Sequence, residues 1–191
     1  MQDNLIEIIS KKISLTENDL LLCSEYFEPV YPGKNTILEK QGKIPKYLYF
    51  IASGCMRVYY ENSHGEEITS QLATKDQFVT SFLHFIHQTK SGEIVQCVTD
   101  CEILRISRPR LAHLIEISEK FKDFSLIIFE QAILSTQKRA DDLANLPAVK
   151  RYRKLIIEQP MIHEYVPVQY IASYLGIKPQ SLSRIRRQLR R

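Results

Sequence analysis

Apolar positions recur along this chain with three different spacings. Residues 2–9 and 17–26 read as short helices. Between them and residue 106, segments rich in β-branched and aromatic side chains, 47–52, 56–60, 67–72 and 94–106, alternate with glycine-containing breaks, and the last is long enough to be bent or broken. Five of the six glycines, Gly33, Gly42, Gly54, Gly65 and Gly92, fall in this half. That punctuation predicts an antiparallel β-domain closing as a jelly roll or barrel. After Pro109 no proline or glycine interrupts the chain until Pro147. A long helix is expected over 118–145, with a seam through Leu126, Phe129, Ile133, Thr136, Ala140 and Leu143 whose steps alternate three and four, as in a coiled coil. A second stripe, Phe121, Phe124, Ile128 and Ala132, is placed to cover the β-domain. Two apolar faces require two partners, and a symmetry mate supplies the second, giving a homodimer. The competing arrangement is a core helix buried on both sides within a monomer.

Leu146-Pro147 ends the long helix; residues 148–158 predict a linking helix and 160–167 a loop. Beyond lies VPVQYIASYLGIKPQSLSRIRRQLRR, residues 166–191. Ile171, Ala172 and Leu175 share one helical face before Gly176; Ile177, Leu182, Ile185 and Leu189 resume that face after it. Two short helices joined at a glycine bend make a helix-turn-helix, with Ala172 as the small residue where they meet. The second helix is expected to start near Lys178, because Pro179 suits a first helical position. Gln180, Ser181, Ser183, Arg184 and Arg187 then face outward. Glutamine can pair with adenine N6 and N7, and arginine with guanine O6 and N7, while hydroxyls and further cations bind phosphate. Gln180 and Arg184 are therefore the expected base readers, with Lys178, Arg186, Arg187, Arg190 and Arg191 attracting the backbone. A solvated amphipathic helix with a basic tail is the plainer alternative.

Charge sharpens the contrast. The chain has 26 Lys and Arg against 22 Asp and Glu, a formal +4, yet six of the basic residues and no acidic one lie within the last 26 residues. The remainder is slightly acidic. With 191 residues the chain can bury a full core. No apolar run reaches the roughly 18–20 residues that span a bilayer, and residues 1–10 do not read as a signal peptide. No membrane partner and a cytoplasmic location are expected. Cys23, Cys55, Cys97 and Cys101 form no C-x-x-C pair and are expected to be reduced and structural. Within one continuous strand, Cys97 and Cys101 would stand about 13 Å apart and share no metal.

The order of β-domain, long helix and helix-turn-helix resembles the bacterial Crp/Fnr-type transcription regulators over nearly the whole chain. The strongest match is Val166, Gln169, Ile171, Gly176 and Ser183-Arg184-Ile185; weaker ones are Tyr31-Pro32-Gly33, Gly42, Leu48-Tyr49-Phe50-Ile51 with Gly54, and Asp76-Gln77-Phe78. The resemblance implies that the second helix enters the major groove, that Pro179, Gln180 and Arg184 take the reading positions, and that Gln169 contacts the DNA backbone. It also implies an effector pocket. Cyclic-nucleotide binders of this type hold phosphate with Arg-Ser or Arg-Thr and ribose with Gly-Glu; here those positions read Ser91-Gly92 and Val79-Thr80. Without the guanidinium and the carboxylate, no cyclic AMP binding is expected. The family usually adds a two-stranded wing, whereas this sequence stops at Arg191; the cluster Arg186, Arg187, Arg190 and Arg191 is expected to replace its phosphate contacts.

The fold class expected is therefore α+β: a cyclic-nucleotide-binding-like β-roll over 1–117, a dimerisation helix over 118–145 and a helix-turn-helix domain over 146–191. The function expected is sequence-specific, near-palindromic double-stranded DNA binding by a homodimer, with no resident cofactor, an unknown small-molecule effector allowed and RNA polymerase admitted as a partner. Its competitors are a metal-dependent, cupin-like barrel enzyme and a ligand-binding regulatory module without DNA activity. The enzyme reading is weak because His64, His84, His87, His113 and His163 are scattered, and no nucleophile elbow or phosphate loop is present. No catalytic or metal-ligating residues are assigned.

Overall fold

The computed structural model describes residues 1–189. Two helices, α1 (Gln2–Ser10) and α2 (Glu17–Tyr26), lead into eight strands: β1 (Glu28–Val30), β2 (Ile37–Glu39), β3 (Tyr47–Ser53), β4 (Met56–Glu61), β5 (Glu67–Ala73), β6 (Phe78–Val79), β7 (Ile94–Cys97) and β8 (Glu102–Ser107). A short helix, α3 (Phe82–His87), separates β6 from β7. The strands form two four-stranded sheets, ordered β1-β8-β3-β6 and β2-β7-β4-β5, with antiparallel pairing throughout. Helices α4 (Arg108–Ile117) and α5 (Glu119–Asn145) follow, then α6 (Ala148–Glu158), α7 (Pro160–Tyr165), α8 (Val168–Tyr174) and α9 (Pro179–Leu189).

The continuous apolar run of β3 has a simple cause. Its odd positions, Tyr49 and Ile51, point between the sheets with Met56, Val58, Val95 and Ile103, while Leu48, Phe50 and Ala52 point outward under α1, α4 and α5. A strand covered on both faces loses polar alternation. Phe121, Phe124 and Ile128 of α5 are buried in that outer layer, and Phe124 meets Phe78 edge-on at 5.6 Å, as the second stripe anticipated.

The segment 94–106 is two strands rather than one. Between them the chain crosses from one sheet to the other, held by bonds from Val98 N–H to Cys55 O (2.8 Å) and from Cys101 N–H to Pro32 O (3.0 Å). This crossing overturns the single continuous strand on which the wide separation expected for Cys97 and Cys101 rests: both side chains enter the same inter-sheet core, where Cys101 Sγ donates to Cys55 O at 3.4 Å. Gly54 makes room beside them, since a Cβ there would lie 2.5 Å from Asp100 O and 2.7 Å from Cys101 Sγ. All four cysteines are free and buried. Burial pushes the thiols of Cys23 and Cys55 up to about 12 and about 11. The 160–167 loop is also corrected, because Pro160 opens the short helix α7.

At the entrance of α2, Thr16 and Asp19 form a reciprocal capping box. Burial alone would raise the Asp19 carboxyl, but bonds from Thr16 and Ser118 and attraction to Lys120 carry it below its ordinary 3.8. Asp19→Asn should therefore cost about 1 kcal/mol at neutral pH. A folded-state value below the unfolded one means that the contribution is complete above 3.8 and disappears as pH falls through the lowered value. Urea melts of both proteins at neutral and strongly acid pH should show the gap closing.

Candidate functional site

The carboxy-terminal helices pack around Tyr152, Leu155, Ile162, Val166, Ile171, Ala172, Leu175, Leu182 and Ile185. At the bend, Gly176 takes φ +65°, with Ile177 N–H bonding Ala172 O and Gly176 N–H bonding Ser173 O, each at 3.0 Å. These two bonds terminate α8 in a Schellman motif. A Cβ on Gly176 would approach Leu143 Cδ2 to 3.0 Å, so both conformation and space favour glycine. Gly176→Ala is expected to cost about 1–2 kcal/mol, read as a lower melting temperature.

Helix α9 begins at Pro179, one residue after Lys178, and buries Leu182 and Ile185. On its other side Lys178, Pro179, Gln180, Ser181, Ser183, Arg184 and Arg187 are exposed, as is Gln169 on α8. Lys178, Arg184 and Arg187 make no ion pair among the described residues. Ser183 donates its hydroxyl to Pro179 O at 3.0 Å, leaving its oxygen as an acceptor. Arg186 departs from the phosphate-facing set: its Nε donates to Tyr152 Oη at 3.0 Å, turning the guanidinium inward against α6. Arg190 and Arg191 lie outside the described residues.

Sequence reasoning missed the joint between this motif and the β-roll. Arg57, only 1% exposed, lies between the rings of Tyr59 (3.8 Å) and Tyr170 (3.5 Å) and pairs with Glu67 at 2.6 Å. Ser173 Oγ accepts the Thr69 N–H at 2.9 Å and donates to Glu67 O at 2.8 Å. From α5, Arg139 donates to Thr69 O and Tyr174 O, both at 3.0 Å, and Arg151 of α6 donates to Leu175 O at 2.9 Å. Two cations thus meet the carbonyl end of α8, where the helix dipole is negative. Burial lowers the Arg139 pKa from its ordinary value, without approaching neutrality in physiological solution. The only sequence signal was an arginine inside an otherwise apolar strand.

Along the long-helix seam, Leu126 is 53% and Ile133 67% exposed, and Thr136 and Ala140 are also exposed. Phe129 is half-buried against Phe82, with ring centroids 6.4 Å apart, and Leu143 is half-buried beside Gly176. These two seam positions are therefore already engaged within the subunit.

A cavity of about 700 Å³ opens between β4, β5, α3 and α5. The expected effector positions divide. Val79 points into the inter-sheet core and Thr80 donates to Tyr47 O at 2.8 Å, while Gly92 is exposed. Ser91 is buried and hydrogen-bonds Ser81 at 2.9 Å. The residue that contacts Ser91 is thus Ser81, while Val79 packs in the inter-sheet core and Thr80 borders the cavity. Neither nearby cation enters: Arg105 pairs with Glu28 across β1 and β8, and Lys90 is exposed outside the cavity lining. Among the described residues, no group of three or more His, Cys, Asp or Glu converges for a metal.

A β-roll, a long helix and a carboxy-terminal helix pair follow one another along this chain. Residues 30–118 match the cyclic nucleotide-binding domain. The cAMP-activated global transcriptional regulator CRP of Escherichia coli is 22% identical over 169 residues, covering 83% of this chain and 80% of that protein. FixK2 of Bradyrhizobium japonicum superposes with a TM-score of 0.75 at 14% identity, over 86% of this chain and 84% of that one. The c-di-GMP-responsive global regulator CLP of Xanthomonas campestris gives 0.65 at 19% identity, over 92% of both. The chain thus carries a cyclic nucleotide-binding domain and is similar over most of its length to the regulator CRP. No helix among the described residues is long and apolar enough to cross a membrane.

Proposed function

We propose that this protein is a homodimeric, sequence-specific DNA-binding transcription regulator whose roll carries an effector site unsuited to cyclic AMP. The observation that carries the reading is the outward face of α9, where Gln180, Arg184 and Arg187 are exposed, without acidic neutralisation, on a glycine-terminated two-helix frame. Gln180 and Arg184 read base edges; Lys178, Ser181, Arg187 and Gln169 hold phosphate. Pro179 and Ser183 shape the approach at the groove. Pairing of α5 with its copy presents this face twice, at half-sites about 34 Å apart or a multiple of that turn. An activating role would add RNA polymerase as a partner, and the reading includes no catalytic step.

The effector part rests on the Ser91-Gly92 pair and on the partners of Ser81 and Ser91, which among the described residues include Glu93 and no cation. A cyclic phosphate placed there would meet hydroxyls without a fixed positive charge. Selection of bound fragments from random DNA tests the DNA assignment. Arg184→Ala should lose about 1–3 kcal/mol on the selected operator and relax preference at one base pair. Arg187→Ala should weaken every sequence and reduce the salt slope by about one. Wild-type behaviour by both variants would overturn the assignment.

A further inference from the structure

The cavity beside α5 contains a carboxylate that DNA binding does not require. Glu93 Oε1 accepts the Ser70 hydroxyl at 2.9 Å and Oε2 accepts the Ser81 hydroxyl at 2.5 Å. Ser81 in turn accepts the Ser91 hydroxyl at 2.9 Å, and Ser91 Oγ accepts Glu93 N–H at 2.9 Å. Ser81 and Ser91 are buried. This closed circuit fixes the carboxylate in position and leaves each of its oxygens further acceptor capacity. Among the described residues Glu93 has no ion pair.

Apolar side chains share the surrounding wall with Lys12, Asp76, Glu93 and Arg139. Val58, Leu72, Phe78, Ile128, Phe129 and Ala132 supply apolar surface. Arg139 also borders the cavity, but Thr69 O and Tyr174 O occupy its donors. Of the other titratable neighbours, Asp76 adds negative charge, His84 bonds Thr89 at 3.0 Å, and Lys12 and His87 complete the lining. A phosphate at the Ser81–Ser91 circuit would face Glu93, whereas an ammonium would meet an oriented acceptor. The volume lies within the range of small-molecule sites.

We infer that the cavity binds a small organic amine, with its ammonium on Glu93 and its hydrocarbon body against α5. The inference rests on the roll being the sensor and names its ligand class. Tyr174 and Arg139 line the same cavity as Glu93, so the cavity borders the carbonyl end of α8.

Calorimetric titration of the full chain, without DNA, should use 2-phenylethylamine and isopentylamine, their alcohol counterparts 2-phenylethanol and isopentanol, and 3′,5′-cyclic AMP. At least one amine should bind roughly tenfold more tightly than its alcohol, consistent with a charge-assisted bond, and cyclic AMP should give no binding heat. Glu93→Gln should remove the amine preference. Ala132→Leu, which narrows the cavity without touching the carboxylate, should weaken the amine and the alcohol together. Absence of binding by both amines, equal binding of each amine and alcohol, retention of the preference in Glu93→Gln, or binding of cyclic AMP would overturn the inference. Because no operator is present, failure here leaves the DNA assignment standing, and failure of operator selection leaves the titration intact.

Discussion

Replacing Leu126 and Ile133 together by aspartate is expected to give a folded single subunit whose operator affinity is about 10²–10⁴-fold lower, the range that bivalent attachment supplies. Both side chains are largely exposed in the single chain. Burying each against a partner would contribute about 1.5–3 kcal/mol, and placing four carboxylates at the paired seam would oppose association strongly. The buried stripe Phe121, Phe124 and Ile128 lies on another side of α5 and remains in the roll core. Sedimentation should show the single subunit, circular dichroism an intact fold, and DNA titration the loss. A dimer with undiminished affinity would place the interface elsewhere. Thr136 and Ala140 complete the exposed line, whereas Phe129 and Leu143 contribute from already half-buried positions.

Arg57→Ala should release the carboxy-terminal helices from the roll while leaving the inter-sheet core folded. The change removes the cation between Tyr59 and Tyr170 and opens a void where the guanidinium lay. A desolvated cation on two aromatic faces, together with the void, makes the expected cost about 2–4 kcal/mol. Glu67 remains 43% exposed and can be resolvated, which limits the penalty for leaving its charge behind. Arg57→Lys should restore only part of the loss, because an ammonium does not stack as a planar group. Hydrogen exchange provides the reading: amides of α8 should lose protection while those of β3 keep theirs. Equal loss at both would mean that Arg57 supports the roll itself rather than the joint.

Chemistry repeated along the chain was legible from sequence. The alternation and glycine spacing located β3, β4 and β5, and the proline-free stretch located α5. Pro147 and Pro179 marked the bounds of α6 and α9 because proline fits only the first turn of a helix. Strands β1, β2 and β6 span only two or three residues, too few for a period to emerge. The switch between sheets near Cys97 and Cys101 depends on backbone bonds to Pro32 and Cys55, which are remote in sequence.

The same contrast governs the sites. The face of α9 follows helical spacing and could be read residue by residue. Ser70, Ser81 and Glu93 meet only after three separate segments fold together. Glu93 adjoins the degenerate Ser91-Gly92 pair, so its charge was visible but its direction was not. Arg57 likewise showed an anomalous charge in a strand, whereas Tyr170, its second aromatic neighbour, comes from the other end of the chain.

Arg139 joins three parts of the fold through one guanidinium: it grows from α5, holds Thr69 of the roll and holds Tyr174 before the bend. It stands next to Ala140 of the exposed seam. A rolling adjustment between paired helices would therefore act like a cam on the reading head, pulling on its mount without a chain of intermediate residues. Torque at the subunit junction and occupancy of the cavity would reach the operator through the same short lever.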